Sequence, residues 1–414
     1  MRRYGRDPAD WLDLSTGINP DGYPVPPLPA DCWQRLPQDD DGLAEIAARA
    51  YGSPHALPVA GSQAAIRTLP ALLPPGRVGI AALGYSEYAP AFAAAGHRVV
   101  PLDEVDFSDP ALADGLDHLV VVNPNNPTGR IVPRERLLGW HAALAPRGGT
   151  LLVDEAFADA WVTDEGGGSL AADSDRAGLI VLRSLGKFYG LAGVRCGFVL
   201  AQPALLQALA ERLGHWTVSG PARAVARLAL RDTDWQAATR ARLRVASARL
   251  DALLRRHGLA PVTLPLFAWV PHADAERMHQ ALAHAGVWTR LFDAPVASLA
   301  SREAAGGRPG DFAGGRPGDS SGDSTAESPQ RYHRQYRQAP EPAPRPAARS
   351  RGLLAAAGRC PRHQSSALTC PCCRSCPADV GRTPPRVPPR LQPRVLPRVL
   401  PPTVLPPSHA LPRR

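Results

Sequence analysis

The chain has 414 residues, enough for two domains or one large domain with appendages, and 44% hydrophobic content can fill a sizeable core. Its net charge of +9 does not point to nucleic acid, because the excess is confined to the end of the chain: residues 301–414 carry 19 arginines against 7 acidic residues, which leaves residues 1–300 near −3. Nothing at the N-terminus resembles an apolar leader and no run approaches a membrane span, so a cytoplasmic protein that binds neither membrane nor nucleic acid is expected.

Residues 1–40 read as an N-terminal arm with a segment of a small domain. Residues 41–220 read as a large domain in which short apolar runs alternate with amphipathic stretches, the mark of a mostly parallel sheet covered by helices. Strands are expected at 78–83, 97–102, 118–123, 149–154, 178–183 and 195–200, and helices at 62–72, 86–95 and 133–145. Residues 222–257 have no proline and no internal glycine and predict one long helix or two abutting ones. It leads into a smaller α/β unit, with an apolar strand at 264–270, a helix at 273–285 and a strand at 287–292, so that linking helix and small domain occupy 221–299.

From residue 300 to 414 glycine, proline, serine and arginine dominate, and Arg386, Arg390, Arg394 and Arg398 recur every four residues. Such a segment buries too little apolar surface to offset its ordering entropy, and it reads as a disordered tail. An interaction segment is one origin for it; a reading-frame change in an arginine-biased gene, which would have interrupted the small domain in mid-sheet, is the other and the favoured one. Within it Cys360, His363, Cys370, Cys372, Cys373 and Cys376 cluster, but CPCCRSC lacks the paired two-residue gaps of zinc modules, and no metal is expected. Cys32 and Cys196 are the only cysteines among the first 300 residues, which suits a reducing compartment.

Of the 47 basic residues, 46 are arginine and one is lysine. A guanidinium cannot condense with an aldehyde, whereas a lysine amine can, so the exception, Lys187, is the first candidate for covalent chemistry. It stands in Ser184-Leu185-Gly186-Lys187 after an apolar strand, where open α/β sheets bind ligands, and Arg195 follows. Gly61-Ser62-Gln63 opens a helix after the apolar stretch 57–60; alone this is an ordinary cap, but together with Ser184 and Arg195 it makes a plausible phosphate cup. Asn123-Pro124-Asn125-Asn126-Pro127-Thr128-Gly129 is a turn-forming string behind a buried strand. Asp154 ends another buried strand, a place where a carboxylate is either paired or functional.

The set Asn126-Pro127-Thr128-Gly129, Asp154-Glu155-Ala156-Phe157, Ser184-x-x-Lys187 and Arg195, in that order and spacing, resembles the fold-type I pyridoxal-phosphate (PLP) family of aminotransferases and decarboxylases over about residues 11–299. The resemblance implies the aspartate aminotransferase-like fold, with PLP held covalently by Lys187. It further implies Asp154 on the pyridine N–H, Asn126 on the phenolic oxygen, Tyr85 stacked on the ring, and Ser62, Gln63, Ser184 and Arg195 on the phosphate.

Within that family, Trp11-Leu12-Asp13-Leu14-Ser15-Thr16-Gly17-Ile18-Asn19-Pro20 and Leu36-Pro37-Gln38-Asp39-Asp40-Asp41-Gly42-Leu43 look like the threonine-phosphate decarboxylases of cobalamin biosynthesis. Phe157 and Leu36 stand where the related histidinol-phosphate aminotransferases usually carry tyrosines, which favours the decarboxylase. The substrate would be a small phosphorylated amino acid bound by Arg290, with Asn19 and Asn126 nearby, in a homodimer. Two departures are an absent glycine-rich N-terminal substrate segment and a missing second substrate arginine, a role Arg302 does not fill. A histidinol-phosphate-type aminotransferase, or an inactive protein on the same fold with a damaged C-terminus, are the rival readings.

Overall fold

The computed structural model describes residues 4–161, 168–293 and 351–356. In chain order the first half contains β1 (Leu12–Asp13), α1 (Asp31–Gln34), α2 (Leu43–Tyr51), β2 (Leu57–Val59), α3 (Ser62–Thr68), β3 (Arg77–Ala81), α4 (Tyr88–Ala94), β4 (Arg98–Leu102), β5 (His118–Val122), α5 (Arg134–Leu144) and β6 (Thr150–Asp154). There follow β7 (Leu179–Ser184), β8 (Gly197–Leu200), α6 (Pro203–Leu213), α7 (Gly220–Arg231), α8 (Thr233–Arg256), β9 (Val262–Leu264), β10 (Phe267–His272), α9 (Ala275–His284), β11 (Val287–Trp288), β12 (Arg290–Asp293) and β13 (Arg351–Ala356).

Seven strands form the large sheet in the order β2-β8-β7-β6-β5-β3-β4. Pairings from β4 through β3, β5 and β6 to β7 are parallel, and β8 and β2 join antiparallel at one side. All five residues of β5 and of β6 are buried, as the continuous apolar text of parallel strands requires when helices cover both faces. Alternation splits them between two cores: Leu119, Val121, Leu151 and Val153 face one, Val120, Val122 and Leu152 the other. The consequence for function is that β5, β6 and β7 deliver Asn123, Asp154 and Ser184 to one edge of the sheet.

Of the two expected forms of the long helical stretch, the structure has the second: two abutting helices, α7 and α8. They break at Asp232, whose side chain accepts from the Trp235 N–H at 2.9 Å and so caps α8. The smaller sheet is antiparallel, in the order β12-β13-β10-β9, while β1 pairs in parallel with β11 and ties the N-terminal segment to it.

β13 departs from the reading of everything beyond residue 300 as a structureless tail. It lies between β10 and β12, with Phe267 opposite Ala356 and Arg290 opposite Leu354. The physical reason is local: Gly352-Leu353-Leu354-Ala355-Ala356 is an apolar island without proline, so every N–H in it can join a ladder. The remainder of 300–414, including Arg302 and the cysteine-rich cluster, lies outside the described residues.

Candidate active site

Lys187 sits in the turn after β7, and that turn is fastened from both sides. Its carbonyl accepts from the N–H groups of Asn19 at 3.0 Å and Gly190 at 3.1 Å. Its Nζ lies 5.2 Å from the centre of the Phe157 ring. Burial lowers the amine's pKa from its ordinary value, the charges of Arg290 and Arg195 lower it further, and only Asp154 opposes them. The arrangement favours the neutral, nucleophilic amine.

Asp154 is 4% exposed at the end of β6. Burial raises its pKa, against the Tyr88 hydroxyl, the Ala156 N–H and Lys187. Tyr88 donates to Oδ2 at 2.7 Å and the Ala156 amide to Oδ1 at 3.0 Å. A carboxylate oxygen carries two lone pairs, so each retains one for a further donor.

Arg195 adopts a left-handed backbone, φ +54°, which costs a residue with a side chain about 1 kcal/mol or more and is held where the surroundings demand it. The demand is visible at Gly61, φ +74°: a Cβ there would lie 2.7 Å from Arg195 Nη2, so only glycine lets the guanidinium rest on the start of α3. Gly197 serves the same junction, since a Cβ on it would come within 2.7 Å of the Ser62 amide. Ser184, 8% exposed, closes the group, its Oγ accepting from the Gly186 N–H at 3.2 Å.

Asn126 stands in a loop braced by its neighbours. Asn123 bonds Val132 in both directions, at 3.1 and 2.8 Å, and Asn125 donates to Leu83 O at 3.0 Å and Thr128 Oγ1 at 2.8 Å. Asn126 Oδ1, like Asn125 Oδ1, is buried with no hydrogen-bond partner among the described residues. A buried amide left with open capacity is the mark of a place for a ligand.

Two of the expected contacts are arranged differently. The Gln63 side chain does not point free toward a phosphate: its amide donates to Glu87 Oε2 at 2.7 Å and its carbonyl accepts from the Tyr85 hydroxyl at 2.9 Å. The carbonyl end thus orients the tyrosine while the amide end is tied to Glu87, with one N–H of the pair left over. Asn19 likewise is engaged throughout, donating to Phe188 O at 2.8 Å and accepting from the Asp21 N–H at 3.1 Å and from Arg242 at 3.0 Å. As placed, it ties the N-terminal segment to the lysine turn, with its carbonyl oxygen filled and one Nδ2 N–H left for a further acceptor.

Tyr85 is 45% exposed, which leaves a ring face open to a stacking partner. Arg290, on β12, is the one small-domain residue of the set, and its charge is felt by both Lys187 and Tyr85. The structure therefore brings Lys187, Asp154, Tyr85, Arg195 and Arg290 into one electrostatic neighbourhood. Sequence reasoning missed Tyr88, whose signal was available: a tyrosine buried at the head of an otherwise apolar helix needs a partner for its hydroxyl. It also missed Arg183, buried beside Ser184 and bridging Glu155 at 3.0 Å and Asp159 at 3.1 Å.

Residues 45–302 match the model of the family described as aminotransferase class I and II. The chain belongs to this family. A threonine-phosphate decarboxylase of Pseudomonas aeruginosa is 52% identical over 295 residues, 71% of this chain and 87% of that protein. A threonine-phosphate decarboxylase of Sinorhizobium sp is 44% identical over 299 residues, 70% of this chain and 86% of that protein. Among solved structures, the histidinol-phosphate aminotransferase of Sinorhizobium meliloti, in complex with pyridoxal-5'-phosphate, superposes with a TM-score of 0.60 at 23% identity, covering 69% of this chain and 83% of that one. That likeness shows the fold, the aspartate aminotransferase-like arrangement expected from the motifs.

Proposed function

We propose that this chain is a PLP-dependent carboxy-lyase that converts L-threonine O-3-phosphate to (R)-1-amino-2-propanol O-2-phosphate and CO2, a step of cobalamin biosynthesis. The observation that carries the reading is the placement of the sole lysine: a depressed amine held in one neighbourhood with a buried carboxylate and the Arg195 guanidinium. The long match to two threonine-phosphate decarboxylases supports the choice of reaction within the family.

The residues fit the cofactor. Lys187 would bind its carbonyl carbon, Asp154 has a lone pair free on each oxygen for the ring N–H, and the Asn126 side-chain N–H would donate to the phenolic oxygen. Tyr85 would cover a ring face, steadied by Gln63, while Ser62, Ser184 and Arg195 would hold the phosphate. When bound, PLP supplies an electron sink for the pair left behind when a bond at the substrate's Cα breaks.

The rest is the protein's work. Arg290 offers a planar fork suited to a carboxylate or a phosphate and would fix which Cα bond stands ready to break. Loss of CO2 leaves Cα needing one proton in its place, and Lys187, in the ammonium form it would take by accepting the proton of the substrate's own ammonium group, would be the titratable group at hand to deliver it. Phe157 beside it is an apolar wall with no proton to give.

A homodimer and a cytoplasmic location belong to the same proposal. Trp33, Leu36 and Trp216 are each more than half exposed. Leu36 also lines a groove of about 590 Å³ between the N-terminal arm and α7, and a second copy is the partner that would cover such a surface.

Protein incubated with PLP and L-threonine O-3-phosphate is expected to release CO2 in step with aminopropanol phosphate, with no need for 2-oxoglutarate. Amino transfer to 2-oxoglutarate from histidinol phosphate, without CO2, would overturn the proposal in favour of the aminotransferase.

A further inference from the structure

Tyr88 opens α4, and the rest of that helix, Ala-Pro-Ala-Phe-Ala-Ala, is apolar. The tyrosine is 1% exposed, so its hydroxyl cannot turn to water. Its one recorded partner is Asp154 Oδ2 at 2.7 Å. Burial, and then the charge of Asp154, hold the Tyr88 phenol well above its ordinary pKa, so it remains a donor.

The donor matters because Asp154 is under opposing demands. Burial favours the neutral acid, and a neutral acid cannot accept a hydrogen bond from a protonated ring nitrogen while staying a counter-charge to it. Three groups act for the charged form: the Tyr88 hydroxyl, the Ala156 amide and Lys187. Lys187 is committed to the cofactor's carbonyl carbon in the reading above, and the Ala156 amide belongs to the backbone. Tyr88 is therefore the one side chain whose role toward Asp154 is separable from the rest of the site. It also sets its ring edge against Tyr85, with centroids 6.2 Å apart and planes at 79°.

We infer that Tyr88 is a positioning residue which keeps Asp154 ionised and aimed, and through it keeps the ring nitrogen of the bound cofactor protonated. The inference rests on the reading of this site as a PLP site, and it makes a distinction that a merely structural tyrosine would not: removing its hydroxyl matters only if the ligand has a ring nitrogen.

The test compares wild type with Tyr88→Phe, which keeps the packed ring and removes the hydroxyl. Apo-protein of each is titrated with PLP and with 1-deazapyridoxal phosphate, in which a C–H replaces the ring nitrogen. PLP affinity is expected to fall on the order of tenfold in the variant, the worth of one hydrogen bond to a charged group. Affinity for the deaza compound should change less than about twofold by the same reasoning. With PLP labelled with ¹⁵N in the ring, the nitrogen resonance should move toward the unprotonated position in the variant. Equal losses for the two compounds, no loss for either, or an unmoved ¹⁵N resonance would overturn the inference.

If Tyr88→Phe does not fold, a fluorinated tyrosine at position 88, a more acidic donor, should tighten PLP and leave the deaza compound unaffected; equal effects on both would again overturn it. Wild-type protein that binds neither compound refutes the underlying reading of the site and the inference with it, an outcome distinct from the others.

Discussion

At the scale of single residues, Asp154 shows function working against stability. Its folded pKa is raised, so folding makes the carboxylate easier to protonate than it is in the unfolded chain. The resulting penalty is absent below the ordinary aspartate range near 4, grows as pH rises through the folded pKa, and is complete above it. Asp154→Asn should therefore make the apo-protein melt higher than wild type at pH 7, the difference closing as the pH falls below 4, while PLP binding and turnover collapse. Thermal melts at a series of pH values check both the sign and the window.

Arg195 supplies a second case, because its left-handed backbone suits glycine. Arg195→Gly and Arg195→Ala should each weaken PLP by about a hundredfold, the order expected for loss of a charge-assisted bond to phosphate. Arg195→Gly should nonetheless be the more stable of the two by about 1 kcal/mol, since alanine inherits the strained conformation without the contacts that hold it. Denaturant titration of the two apo-proteins separates the terms.

Legibility at this scale followed a simple boundary. Lys187, Asp154 and Arg195 could be singled out because chemistry restricts which residue suits each proposed task and because they stand just after, at the end of, and just before buried strands, respectively. The actual duties of Gln63 and Asn19 could not, since a string of letters does not say which of a side chain's hydrogen bonds are already taken by its neighbours. For Tyr88 the need for a partner was legible in its apolar helix, but which partner was not, because Asp154 is 66 residues away.

Among the elements, the parallel strands were the most readable. β5, β6 and β7 are apolar runs bounded by turn residues, and burial on both faces leaves no other solution. Short strands at the margins escaped notice: β2 and β9 have three residues each and β1 two, too few for any period to show, while the strand expected at 287–292 is divided into β11 and β12. β13 escaped because composition was averaged over a long arginine- and proline-rich stretch, and the average concealed six residues that suit a ladder. Its central position yields a prediction at this scale. Leu353→Pro removes a backbone donor from the strand between β10 and β12 and should cost about 3 kcal/mol, read as a lower urea midpoint.

For the molecule as a whole, the role proposed for Arg290 would make catalysis depend on both sheets. Lys187, Asp154 and Arg195 belong to the seven-stranded sheet and its connections, whereas Arg290 belongs to the four-stranded one. Arg290→Ala should thus raise KM for L-threonine O-3-phosphate by tenfold or more, about the worth of a bidentate contact, and leave the affinity for PLP within about twofold. Steady-state kinetics beside a cofactor titration distinguishes this from a general loss of structure.

The strand order β12-β13-β10-β9 also governs when the smaller sheet can close. Its inner strand comes from residues 351–356, whereas both of its neighbours are complete by residue 293. During synthesis the two would emerge well ahead of the strand that separates them, each with an unpaired edge facing the gap. Ribosome stalling or proteolysis between residues 293 and 351 would release a chain with a finished cofactor sheet and a split companion, primed to capture a strand from another molecule.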